Sequence, residues 1–265
     1  MNFLKIIEQF DFDKTHPELH DNATSRKDAL NLLGKFASGV ALAAVPTILM
    51  TLPKAVAAQG AGVTEILNYA LVLEYLESEF YNIGLSSGNL IPSKDRTVIQ
   101  TIAKHEAAHV NYLKTALGSA AGAKPTFDFT VGGAFSPFTD YPTFLIFAQA
   151  FEDTGIRAYK GQAPALMVDP ATLQVALQIH SVEARHASEI RRIRGQKGWV
   201  TGDNAAANGI PSTAFDAVYA GENQSIQGGV NVPNVSGISS AAVAESFDEF
   251  ITMDQGNAIA GLFIK

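Results

Sequence analysis

From Gly62 onward the apolar residues fall at helical spacing. Ile66, Leu67, Ala70, Leu71, Leu73 and Leu76 line one face of a long first helix that ends near Gly84. Ser86-Ser87-Gly88-Asn89 then makes a turn. Ser93 is placed to cap a second helix, which carries Val98, Ile99, Ile102, Val110 and Leu113 on to Gly118. A third helix reads from about Pro142 to Tyr159. Asp169-Pro170 starts a fourth, an Asp N-cap followed by Pro in the first turn, and that helix runs to Gly195. The pattern predicts an all-α chain whose residues 59–195 form a four-helix bundle.

The polar positions repeat as well. Glu74 is followed seven residues later by Tyr81, and Glu152 seven later by Tyr159. Glu106 is followed three later by His109 and twelve later by Gly118; Glu183 is followed at the same intervals by His186 and Gly195. Glu74 to Glu106 spans 32 residues, and Glu152 to Glu183 spans 31. One helical hairpin is therefore used twice, joined by the connection 119–141 with its Pro125, Gly132-Gly133 and Pro137. Short loops inside each hairpin and one long crossover between them make a ferritin-like connectivity.

That register selects a set of candidate metal ligands. Positions i and i+3 share a helix face, so Glu106 with His109, and Glu183 with His186, can each point at one ion. Glu74 and Glu152 are single carboxylates inside largely apolar stretches, where unpaired burial is costly and a central cation would explain them. A lone Glu-x-x-His would read as a solvated helix face. Two copies in register, each with a Glu on the preceding helix, read as a site formed by Glu74, Glu106, His109, Glu152, Glu183 and His186. An inherited but empty site is the alternative.

Composition narrows the chemistry. The chain has no cysteine, so any metal must be held by nitrogen and oxygen, which favours iron, manganese or zinc over copper. A net charge of −7 without a Lys/Arg cluster sets nucleic acid aside. Four carboxylates and two imidazoles neutralise two divalent ions and leave positions for water, oxygen or peroxide.

Nearby groups read differently. Glu77 lies one turn beyond Glu74, but Glu74 alone shares the repeat register with Glu152, so Glu77 reads as a surface residue or one behind the ligands, with a ligand as the alternative. His105 and His180 read the same way. Tyr81 and Tyr159 either hydrogen-bond a ligating carboxylate from behind or pack in the core. Asp153 reads as a solvated acid, with orientation of a ligand His as the alternative.

Several segments together resemble the ferritin-like superfamily. They are Leu73-Glu74-Tyr75-Leu76-Glu77 with Phe80-Tyr81, His105-Glu106-Ala107-Ala108-His109, Phe151-Glu152-Asp153-Thr154-Gly155 with Ala158-Tyr159, and Val182-Glu183-Ala184-Arg185-His186. With Ser246-Phe247-Asp248-Glu249 near the C-terminus, the chain is most similar to bacterial exported ferritin-like domain proteins and plant desiccation-related proteins. The resemblance implies a dinuclear iron or manganese bundle and leaves its reaction open. A redox protein, ferroxidase-like or peroxide-detoxifying and stress-protective, is one reading. A non-catalytic exported structural or stress-protection protein with a vestigial or structural metal site is the second, and an iron-storage shell the third.

The flanks complete the picture. Residues 1–58 read as a leader: Ser25-Arg26-Lys27, an uncharged apolar stretch from Phe36 to Leu52, and a small-residue site at Ala55-Val56-Ala57-Ala58. They resemble a twin-arginine signal with Lys27 in place of the second arginine, which predicts export to the periplasm. Once the signal is cleaved, no membrane association is expected. An uncleaved anchor and a helix packed on the domain are the alternatives. Residues 196–265 read as a C-terminal extension packed on the bundle, irregular at first. It carries a short apolar group at Phe215, Val218 and Tyr219, then an amphipathic helix from Ala241 to Met253 using Val243, Phe247, Phe250 and Ile251. An interface between copies of the chain is the alternative use of these apolar residues.

Overall fold

Four long helices dominate the computed structural model, which describes residues 62–265. They are α1 (Val63–Ser86), α2 (Ser93–Leu117), α3 (Tyr141–Gln162) and α4 (Pro170–Ile193). The leader reading of residues 1–58 and its alternatives lie outside the described residues. Helices of 22 to 25 residues are each about 35 Å long at ~1.5 Å per residue. α1 packs along α2 and α3 along α4, as two hairpins; α1 and α3 lie against each other, whereas α2 and α4 touch far less. The bundle is therefore closed on the α1–α3 side and looser along the α2–α4 seam.

Local chemistry explains the helix starts. Asp140 caps α3 by accepting from the Thr143 N–H at 2.9 Å, and Asp169 caps α4 by accepting from the Thr172 N–H at 3.2 Å. Pro142 and Pro170 sit in the first turns, where a missing N–H costs nothing. Hydrogen bonds from Thr143 and Thr172 hold both carboxyls below their ordinary values. The start of α2 differs from expectation. Pro92 takes the N-cap position in an extended conformation and no side chain caps the helix, so Ser93 is already its first residue. The Pro92 carbonyl accepts the N–H groups of Asp95 and Arg96, which starts the helix before Ser93 could cap it.

An aromatic core fills the end of the bundle near the crossover. Phe80 stacks on Phe144 with ring centroids 4.7 Å apart, and Phe129, Phe147 and Phe151 pack around Phe80. Gly84 makes room for this stack: a Cβ there would fall 2.3 Å from the Phe144 ring. The crossover runs alongside the C-terminus, with Lys265 N–H donating to the Thr126 carbonyl at 2.9 Å and Asp128 N–H to that of Phe263 at 2.7 Å.

The C-terminal segment is built from short elements: α5 (Asp216–Tyr219), a two-stranded antiparallel hairpin β1 (Ile226–Gln227) and β2 (Val230–Asn231), α6 (Val232–Ser236), α7 (Ser240–Ala244) and α8 (Met253–Gly261). The single amphipathic helix expected over 241–253 does not form. It is interrupted between α7 and α8, and Phe247 and Phe250 are exposed instead of buried. Side chains of α3 compete for its backbone. Arg157 donates to the Glu249 carbonyl at 2.9 Å, Lys160 to that of Asp248, and the Ile251 N–H donates to the Arg157 carbonyl at 3.2 Å. Gly161 permits this approach, because a Cβ there would lie 2.0 Å from the Ile251 carbonyl oxygen. Among the described residues no helix is long and apolar enough to cross a membrane.

Candidate metal centre

The helical spacing that selects the six ligand candidates also brings them together. Glu74, Glu106, His109 and Glu183 form one buried group, and Glu106, Glu152, Glu183 and His186 a second; within each, the ligand atoms lie within 4.8 Å of one another. Glu106 and Glu183, from α2 and α4, belong to both groups. Glu74 with His109, and Glu152 with His186, belong to one each. Every long helix contributes, and each half of the repeat supplies equivalent positions.

Both imidazoles face the carboxylates through Nδ1. His109 Nδ1 lies 3.2 Å from Glu74 Oε2, 3.1 Å from Glu106 Oε2 and 3.0 Å from Glu183 Oε1. His186 Nδ1 lies 2.9 Å from Glu106 Oε1 and 3.2 Å from Glu152 Oε2. One ring nitrogen carries at most one proton, so it cannot satisfy several carboxylates at once. Glu106 Oε1 and both oxygens of Glu183 in fact have no aligned hydrogen bond, although they are buried and a histidine nitrogen is close. Lone pairs converging with too few donors fit a cation at the centre.

Electrostatics carry the same message. Burial, then the charge of Glu183, pushes the Glu106 carboxyl up to about 7. Burial first and neighbouring carboxylates second raise Glu183 well above its ordinary value; burial also raises Glu152. Burial alone would lower His186, but the Glu152 charge, the hydrogen bond to Glu152 and the nearby Glu106 carboxylate outweigh it and bring the imidazole to about 11. His109 is raised in the same way, against burial, by the carboxylates of Glu106, Glu183 and Glu74 that crowd its Nδ1. Without a cation the cluster would hold protons that a metal must displace.

The two tyrosines at seven-residue spacing act as donors, each across the repeat. Tyr81 of α1 donates to Glu152 Oε1 of α3 at 2.5 Å, and Tyr159 of α3 donates to Glu74 Oε1 of α1 at 2.6 Å. Each leaves the other carboxylate oxygen turned toward a histidine. Of the two readings open for them, the hydrogen bond to the carboxylate is the one found, and both rings are also buried in the core.

The structure also departs from expectation at the neighbours. Glu77 is not a surface residue; it is only 2 % exposed. Burial, followed by the charges of Glu183, Glu152, Glu74 and Glu106, raises its carboxyl well above the ordinary value. His105 is exposed, and its Nδ1 lies 2.9 Å from His186 Nε2, so it engages the ring nitrogen turned away from the cluster. His180 faces the Ile156 carbonyl at 3.0 Å and belongs to neither group. Asp153 is neither solvated nor directed at a histidine. It is buried in a bidentate pair with Arg191 at 2.7 and 2.6 Å, and it accepts from Tyr219 at 2.7 Å. Arg157, also buried, pairs with Glu222 at 2.8 Å. His105 has Val182 as its counterpart in the repeat, and the partner of Asp153 lies on another helix, so spacing along one helix could reveal neither contact.

A cleft of about 320 Å³ opens along the α2–α4 seam. Thr97, Thr101, Ile102 and Arg185 line it, with His105 and His186 among its walls. The cleft thus reaches a member of the cluster, His186.

Comparison with known proteins agrees with this geometry. The sequence model of the ferritin-like domain family matches residues 62–196, about half of the chain. The chain belongs to the ferritin-like domain family. Neither the curated proteins nor the solved structures return a match. The match on this ferritin-like chain ends just beyond Gly195, where the repeat also ends.

Proposed function

We propose that this ferritin-like protein holds two iron or two manganese ions at Glu74, Glu106, His109, Glu152, Glu183 and His186. It uses them in redox chemistry on oxygen or peroxide, ferroxidase-like or peroxide-detoxifying, in a stress-protective role. The supporting observation is the pair of four-ligand groups sharing Glu106 and Glu183. Such ions, when bound, supply electron transfer and Lewis acidity. The protein's own contribution is positional. Tyr81 and Tyr159 hold the unshared glutamates, His105 orients His186, and the surrounding core keeps bulk water out.

Export through a twin-arginine-like route, and membership of the branch with exported and desiccation-related proteins, are parts of the same proposal. They rest on the leader pattern in residues 1–58 and on the quoted motifs. The test is rapid mixing of the metal-loaded protein with oxygen and with peroxide. Turnover by the wild-type protein that disappears in Glu106→Ala, with helical content retained, supports the redox reading. Metal-loaded protein that turns over neither oxidant contradicts it.

A further inference from the structure

The repeat is broken at one place beside the cluster. Three residues after Glu74 stands Glu77; three residues after its counterpart Glu152 stands Gly155. The two positions face each other. A Cβ placed on Gly155 would lie 3.1 Å from Glu77 Oε1 and 3.5 Å from Glu183 Oε2. The acid of one half therefore reaches into the space that the glycine of the other half leaves, and Glu183 Oε2 approaches the same space. Glu77 is 2 % exposed, and both Glu183 oxygens lack an aligned donor. A fifth carboxylate buried near an unsatisfied carboxylate is costly unless positive charge lies between or beside them.

We infer that Glu77 is a seventh protein ligand of the centre, so that the two metal positions are inequivalent. This inference rests on the dinuclear reading above. Glu77 gives one ion an additional oxygen, and Gly155 is the residue that makes the space. The five carboxylates carry one negative charge more than two divalent ions supply, which favours a more highly charged ion at the position Glu77 touches.

The test is titration of the metal-free full chain with Co(II), followed by calorimetry and by visible absorption, which responds to coordination number. Wild type is expected to bind two ions in two distinguishable classes. Glu77→Gln, which keeps the volume and removes the charge, should weaken one class by about tenfold or more and change the absorption of that ion alone. Glu79→Gln on the same helix, whose acid pairs with Lys124 near the surface, should change neither. Gly155→Ala keeps every ligand but crowds Glu77, and should weaken the same class if Glu77→Gln does not fold. Two classes with unchanged affinity and absorption in Glu77→Gln, or in Gly155→Ala where only that variant folds, would overturn the inference and leave the dinuclear reading standing. A wild-type chain that binds no Co(II) would overturn both.

Discussion

Tyr81 on the first hairpin donates a 2.5 Å hydrogen bond to Glu152 on the second, and Tyr159 returns the bond to Glu74 at 2.6 Å. The halves of the repeat are thus cross-linked through the unshared glutamates of the centre. Burial, followed by the neighbouring glutamate charge, raises both phenols, so both remain protonated donors. Tyr81→Phe removes the donor while keeping the ring. Metal affinity should fall by about 10- to 100-fold, measured by Mn(II) titration, with unchanged helical content. Tyr159→Phe should do the same at the other position. Unaltered affinity in both variants would mean that these bonds do not tune the site.

Stability of the metal-free protein should decline as pH rises. Glu106 and Glu222 are both pushed from 4.5 to about 7, chiefly by burial, and Glu77, Glu152 and Glu183 shift the same way. A raised folded-state value stabilises the fold below the unfolded pKa, and that contribution is lost as pH climbs through the folded one. His105 and His180, lowered mainly by burial, act in the opposite sense but are fewer. Thermal melts with a chelator should therefore give a lower Tm at about pH 7.5 than at about pH 5. Mn(II) affinity should rise over the same window, because binding displaces protons. A metal-free Tm that climbs with pH would count against the buried cluster.

The Asp153–Arg191 pair fastens the bundle to the C-terminal segment through Tyr219. Asp153→Ala leaves a buried guanidinium without its carboxylate and should cost about 3–5 kcal/mol in chemical denaturation. Asp153→Asn, which keeps part of the hydrogen bonding, should cost less. Equal stability of Asp153→Ala and wild type would remove this pair from the account.

Access to the centre is expected along the α2–α4 seam. Thr101→Trp would fill the cleft that reaches His186. Metal uptake, followed by stopped-flow absorption with Co(II), should slow while the final stoichiometry stays the same. Wild-type rates in this variant would place the route elsewhere.

Much of this centre is legible along single helices. Glu106 and His109, or Glu183 and His186, share a face by the helical period, and the duplicated register adds Glu74 and Glu152. What crosses between helices is less legible. His105 meets His186, and Asp153 meets Arg191 on another helix, so neither contact leaves a periodic trace. Glu77 stands off the Glu74/Glu152 register in the sequence, but only packing shows that the acid is buried and approaches Gly155. The helix expected over 241–253 had the right apolar spacing. It lost to Arg157 and Lys160, whose claim on the carbonyls of Glu249 and Asp248 no local pattern reveals.

Metal analysis of the protein purified from its own source, repeated on Glu106→Ala and Glu183→Ala, decides whether the buried cluster holds two ions. Two ions of iron or manganese per wild-type chain are expected, with clear loss in both variants, because each removes a carboxylate shared by the two groups. A well-folded wild-type chain that carries no metal and takes up none on reconstitution would contradict the account.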